Sequence, residues 1–164
     1  MKTKLHYGTT LFLRLASGVI GLGVLAICLF VLPAIWIDAY KEFPHTGSAV
    51  RVIVAAMYIA AIPFYLGIYS GWKLLGYVDR GEVFSPHSIT NLRSIMHYAS
   101  SISILYFLAL PLFYLWQDEV DAPGLLVIGL FLFCMPLIVS VAMGLLARIL
   151  GEAVKIKSEN ELTV

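Results

Sequence analysis

The chain has 164 residues, 60% of them hydrophobic and 13% charged, with a formal net charge of +1. A soluble domain is about 45–50% apolar and about 25% charged, and one this short could not hide so much apolar surface from water. The small net charge gives no electrostatic basis for direct nucleic-acid binding, so the composition excludes an ordinary soluble domain and directs the chain into lipid as a single membrane domain, residues 1–164.

The N-terminus is basic (Lys2, Lys4, Arg14) and leads into an apolar run from Leu15 to Ile37. That run exceeds the roughly 7–15 residues of a signal-peptide core and has no small-residue cleavage site behind it. It is expected to be a retained first span. Ser17 and Gly21 lie four apart on it and offer a groove for a neighbouring helix. Pro33 lies near its end and is a candidate kink.

Three further runs follow: 52–72, 95–116 and 124–147. At about 1.5 Å per residue, each of the four is long enough for a hydrocarbon core of roughly 30 Å. Helix is required because backbone amides cannot stay unpaired in lipid. The predicted fold class is therefore all-α, a four-helix transmembrane bundle. The second run carries Pro63 and the Gly67-x-x-x-Gly71 pattern, which permits close helix approach within the chain or between copies in a homo-oligomer. Pro111 and Pro136 are candidate kinks in the third and fourth runs. The pairing of Leu32-Pro33 with Leu110-Pro111, and of Pro63 with Pro136, suggests two duplicated helical hairpins.

Of the eleven Lys and Arg residues, only Lys41 and Arg51 fall between runs one and two, and none falls between runs three and four. Positive residues stay in the cytoplasm. The sequence thus predicts a cytoplasmic (inner) membrane protein with both termini and the 73–94 loop inside. Trp36, Tyr40, Tyr114 and Trp116 are placed at the outer boundary, Trp72 and Tyr77 at the inner one.

The 73–94 loop contains Ser85-Pro86, an N-cap followed by proline at the first helical position. A helix starting there is expected to run into the third span. It carries a polar stripe (His87, Asn91, Ser94, Tyr98) beside an apolar one (Ile89, Leu92, Met96). The tail, 148–164, starts as a continuation of the fourth span. Ser158 and Glu161 have capping-box spacing, although too few residues follow to build a helix.

The segment Gly81-Glu82-Val83-Phe84-Ser85, followed by Asn91-Leu92-Arg93, and the ending Glu159-Asn160-Glu161-Leu162-Thr163-Val164 resemble a bacterial four-helix membrane family, domain of unknown function 2975. Members show Phe-Ser-x-x-Asn before a Leu-Arg. Here Pro86-His87-Ser88 follows the serine, and the asparagine is displaced to Asn91. The resemblance implies the same fold and a membrane location, and no established activity. Relatives are often encoded beside a small helix-turn-helix regulator, which implies a cytoplasmic DNA-binding partner.

Three functions follow as expectations. The first is a regulatory membrane protein that docks such a partner through Phe84, Ser85, His87, Asn91, Arg93, Glu159, Asn160 and Leu162. The second is a small oligomeric transporter or channel, although no Asp, Glu, Lys or Arg lies in the middle of a span, where coupled pumps usually place one. The third is an immunity or envelope-stress protein whose acidic outer loop (Asp118, Glu119, Asp121) meets membrane-active cationic peptides. An enzyme is not expected, since no nucleophile, phosphate-binding or metalloprotease motif is present. Neither a metal nor a cofactor is expected. Cys28 and Cys134 lack ligand or disulfide spacing.

Overall fold

Apolar runs of this length in lipid have one economical conformation, and the chain adopts it throughout. The computed structural model describes the backbone of residues 3–82 and 85–161 and the side chains of residues 10–39, 41–82 and 85–156. Helix α1 spans Thr3–Ala26, and a five-residue π-helical turn, Ile27–Val31, joins it to α2, Leu32–Glu42. Helices α3 (Gly47–Asp79), α4 (Pro86–Val120) and α5 (Gly124–Glu161) have 33, 35 and 38 residues. Counting α1, the π turn and α2 as one crossing, four helical segments are long and apolar enough to traverse a membrane.

The helices exceed the apolar runs that define the spans. At about 1.5 Å per residue, α3, α4 and α5 are roughly 50–57 Å long against a hydrocarbon core of about 30 Å. The surplus lies mainly at the end of the bundle that carries both termini. There α3 continues past Trp72 to Asp79, α4 starts at Pro86, and α5 continues past Ala147 to Glu161. The tail as far as Glu161 is one helix with the fourth span, so Ser158 is not an N-cap.

Two caps turn the chain between α3 and α4. Glu82 N–H donates to the Tyr77 carbonyl at 2.9 Å, and Gly81 N–H to the Val78 carbonyl at 3.1 Å. This Schellman closure requires a left-handed residue, and Gly81 supplies it at φ +73°. Ser85 then opens α4, its Oγ accepting from Ser88 N–H with Pro86 in the first turn, as the sequence predicts.

The helices neighbour one another in chain order. α1 and α2 pack on α3, α3 packs on α4, and α4 packs most extensively on α5. A core of Ile53, Ala60, Tyr106, Ala109 and Phe113 joins α3 to α4. Most large apolar side chains point outward, among them Phe12, Val19, Leu22, Phe30, Leu108 and Ile138. In water such a surface would aggregate; in a bilayer it is the solvated face.

The prolines behave unequally. Pro33 lies two residues past the π turn, so the α-helical hydrogen-bond pattern changes close to it. Pro63, Pro111 and Pro136 sit inside α3, α4 and α5, which are continuous through them.

Candidate site at the polar end of the bundle

Polar side chains gather at the end formed by the α3–α4 turn, the start of α1 and the extension of α5. The α3–α4 turn is held from within. Ser88 is fully buried, and its Oγ donates to the Glu82 carbonyl at 3.1 Å and lies 3.2 Å from Ser85 Oγ. The His87 ring stacks on Tyr77 with centroids 6.3 Å apart. Ser85 and His87 therefore shape the turn. Asn91 is half-buried and Arg93 exposed. His97 Nδ1 donates to the Arg93 carbonyl at 2.6 Å, one turn back along α4. Of the remaining residues expected in a docking face, Phe84 and Leu162 lie outside the described residues, as do the side chains of Glu159 and Asn160.

Two clefts open beside this turn. The first, about 690 Å³, runs between α1 and α3 along Leu15, Gly18, Leu22, Ile68 and Trp72, with Arg14 at its polar mouth. Its inner wall is a hydrogen-bonded seam that the sequence reading missed. Arg51, Tyr58, Tyr65, Trp72 and Asp79 recur every seven residues of α3, the period that keeps one helix face turned to its neighbour. Each holds the first crossing. Arg51 Nε donates to the Trp36 carbonyl at 3.2 Å, with its guanidinium 5.3 Å from the Trp36 ring centroid. Tyr58 Oη donates to the Cys28 carbonyl at 2.7 Å, within the π turn, and Tyr65 Oη to the Gly21 carbonyl at 2.8 Å. Trp72 Nε1 donates to Ser17 Oγ at 2.7 Å, and Arg14 Nη2 pairs with Asp79 Oδ2 at 3.0 Å. The seven-residue spacing of polar-tipped side chains was the available signal, hidden because Tyr and Trp also read as interfacial anchors.

The small-residue patterns part ways here. Ser17 and Gly21 do face α3: a Cβ on Gly21 would stand 3.3 Å from the Ile68 side chain. Gly67 and Gly71 are not approached in the same way among the described residues. A Cβ on either would meet nothing within 4 Å, because α1 approaches α3 through Tyr65, Ile68 and Trp72 instead.

The second cleft, about 390 Å³, lies between α4 and α5 and is lined by Arg93, Met96, Gly144, Arg148, Gly151 and Lys155 among others. Below it the two helices are in close contact. Ser100 Oγ and Ser140 Oγ lie 2.6 Å apart, Ser140 Oγ donates to the Met96 carbonyl at 3.1 Å, and Ser103 Oγ to the Phe133 carbonyl at 3.1 Å. Arg93 thus faces the cations of α5 across a gap, a partnership that 55 residues of separation from Arg148 conceal in the sequence.

At the opposite end Glu119 caps α3 from α4. Its carboxylate accepts from His45 N–H at 3.0 Å, from Thr46 N–H at 2.9 Å and from the Thr46 hydroxyl. The Thr46 hydroxyl first, and then the backbone donors, hold this carboxyl below its ordinary pKa. The residue therefore has a structural use in an acidic loop that had suggested a cationic ligand. Among the described residues no three side chains are grouped to hold a metal ion.

The profile of a family described as "Protein of unknown function (DUF2975)" matches residues 34–164. The chain is 38% identical over 156 residues to "Uncharacterized membrane protein YoaS" of Bacillus subtilis (strain 168), which covers 95% of this chain and 98% of that relative. No solved structure matches it.

Proposed function

This chain belongs to the DUF2975 family, and we propose that it is a non-catalytic regulatory protein of the cytoplasmic membrane that docks a soluble partner at its polar end. The observation that carries this reading is the helical surplus at one end. Three helices continue beyond their apolar stretches, and α5 alone extends about 14 residues, or roughly 21 Å, past Ala147. A chain built only to fill or seal a bilayer does not need a polar helical platform there. The basic residues at that end support a cytoplasmic placement.

A small helix-turn-helix regulator is the partner that the family context suggests. Asn91 and Arg93, two residues apart on α4 and so on different sides of it, are the side chains available to meet it. Release would follow a shift between two packings of the bundle with different partner affinity. The first crossing is the element suited to move, since it holds mainly to α3. Transport has less support: both clefts open to the side, and the middles of the spans carry no charge.

The test is purification of the full chain from its native membrane in mild detergent, followed by identification of co-purifying soluble proteins. A helix-turn-helix regulator is expected, with recovery reduced at least about tenfold by Asn91→Ala or Arg93→Ala, corresponding to about 1.4 kcal/mol. Recovery of no such regulator from native membrane defeats the proposal. Labelling of a cysteine at Ser85 from outside intact cells defeats the orientation on which it stands.

A further inference from the structure

The cleft between α4 and α5 exists because the helices separate beyond Met96. At Gly144 the contact is tight, and an added Cβ would stand 3.0 Å from Met96 Sδ. At Gly151, two turns further along α5, an added Cβ would meet nothing within 4 Å among the described residues. The walls of the resulting wedge carry Arg93 from α4 and Arg148 from α5, with Lys155 at its edge and Glu152 as the one carboxylate lining it among the described residues. Glu152 reaches Arg148 Nε at 3.4 Å, between side chains that are 68% and 80% exposed. That contact is weak and screened, and leaves Arg93 and Arg148 outweighing Glu152 among the described residues. Its floor is Met96 and Ala147, where the apolar part of the bundle ends.

Cationic walls above an apolar floor, at the level where headgroups begin, suit one amphipathic chemistry: a phosphodiester joined to acyl chains. Arginine forks bind phosphate oxygens in pairs, and basic recesses between transmembrane helices favour anionic headgroups. We infer that this cleft binds the headgroup of an anionic phospholipid. Arg93 and Arg148 grip the phosphate from two different helices, and Gly151 leaves the room for it. Occupancy ties the extension of α5 to α4 at the membrane surface. Arg93 is common to this cleft and the proposed docking face, so the inference is tested through Arg148 and Gly151, which belong to the cleft alone.

The experiment uses the full chain in neutral detergent doped with phosphatidylglycerol, or with phosphatidylcholine of the same acyl chains, and counts retained lipid by native mass spectrometry. Phosphatidylglycerol is expected to be retained at least about fivefold better, and Arg148→Gln to remove about that factor. Gly151→Leu adds bulk to open space, leaves the charge unchanged and replaces a poor helix former, so an unaltered thermal midpoint with the same loss of lipid supports a shaped site. Lys73→Gln removes an equal charge at the same end, from a side chain 4.6 Å over the Tyr69 ring, and is expected to change retention less than about twofold. Equal losses in Lys73→Gln and Arg148→Gln would reduce the site to a diffuse surface field and overturn it. Undiminished binding in Gly151→Leu overturns it as well. Displacement of the lipid by millimolar inorganic phosphate would make the occupant a free anion and overturn the lipid assignment.

Discussion

The two hairpins share an antiparallel plan and hold together by different means. In the first, α1 and the π turn stand off from α3, and side chains reach across to close the distance: Tyr58, Tyr65 and Trp72 span the gap with aromatic rings and end it with a hydrogen bond. In the second, α4 and α5 approach closely on small residues. Ser100, Ser103 and Ser140 bond directly to the opposing helix, and Gly129 admits the Phe113 ring. Lipid offers no hydrophobic gain for helix association, so both hairpins depend on packing and interhelical hydrogen bonds. The long-armed seam leaves a lateral cleft and a first crossing joined mainly to one neighbour; the short-armed one leaves a dense pair. A bundle built this way has a stiff half and a half suited to move.

The largest expected break in that contrast is Gly129→Leu. A Cβ there would fall 2.8 Å from the Phe113 ring, and overpacking of this kind costs about 1–3 kcal/mol. Thermal unfolding in detergent should show a clear loss, whereas Gly67→Ala, aimed at open space, should leave the midpoint unchanged or slightly raised. Ser103→Ala combined with Ser140→Ala removes the three short bonds of the second hairpin, and a loss of about 2 kcal/mol is expected at about 0.6 kcal/mol per intramembrane bond. Arg14→Gln breaks the pair with Asp79, whose side chains are 41% and 15% exposed; after solvent screening the cost is about 1 kcal/mol or less. Its signature is selective, with faster hydrogen exchange in α1 and none added in α4 or α5. The smallest change is Tyr65→Phe, about 0.6 kcal/mol, again confined to exchange in α1. If Tyr65→Phe and Ser140→Ala loosened all helices alike, the two halves would not be mechanically distinct.

Features that depend on neighbouring residues were legible in advance. Ser85-Pro86 opens α4 because a cap and a ring-locked φ act within one turn. Gly21 lies against Ile68 and Ser17 accepts from Trp72, since small residues on a lipid-embedded helix leave an approachable face. The Gly67/Gly71 pattern looked equivalent and packs against nothing among the described residues, because the approach of α1 is set by larger groups on another face of α3. Glu119 was read as part of an acidic loop, yet its use is to cap α3, to which it is joined only by the fold.

The sequence by itself determined four crossings, their helical state, the placement of both termini with the 73–94 segment, and the concentration of basic residues at that end. Each follows from run length, backbone hydrogen bonding or charge, which act locally or on the chain as a whole. Only the tertiary structure decided that a seven-residue ladder on α3 carries the first crossing, that α4 and α5 separate beyond Met96, and that Arg93 stands across a cleft from Arg148. Those features depend on how far apart two helix axes lie, a distance fixed by side chains from both helices together and written in neither one alone.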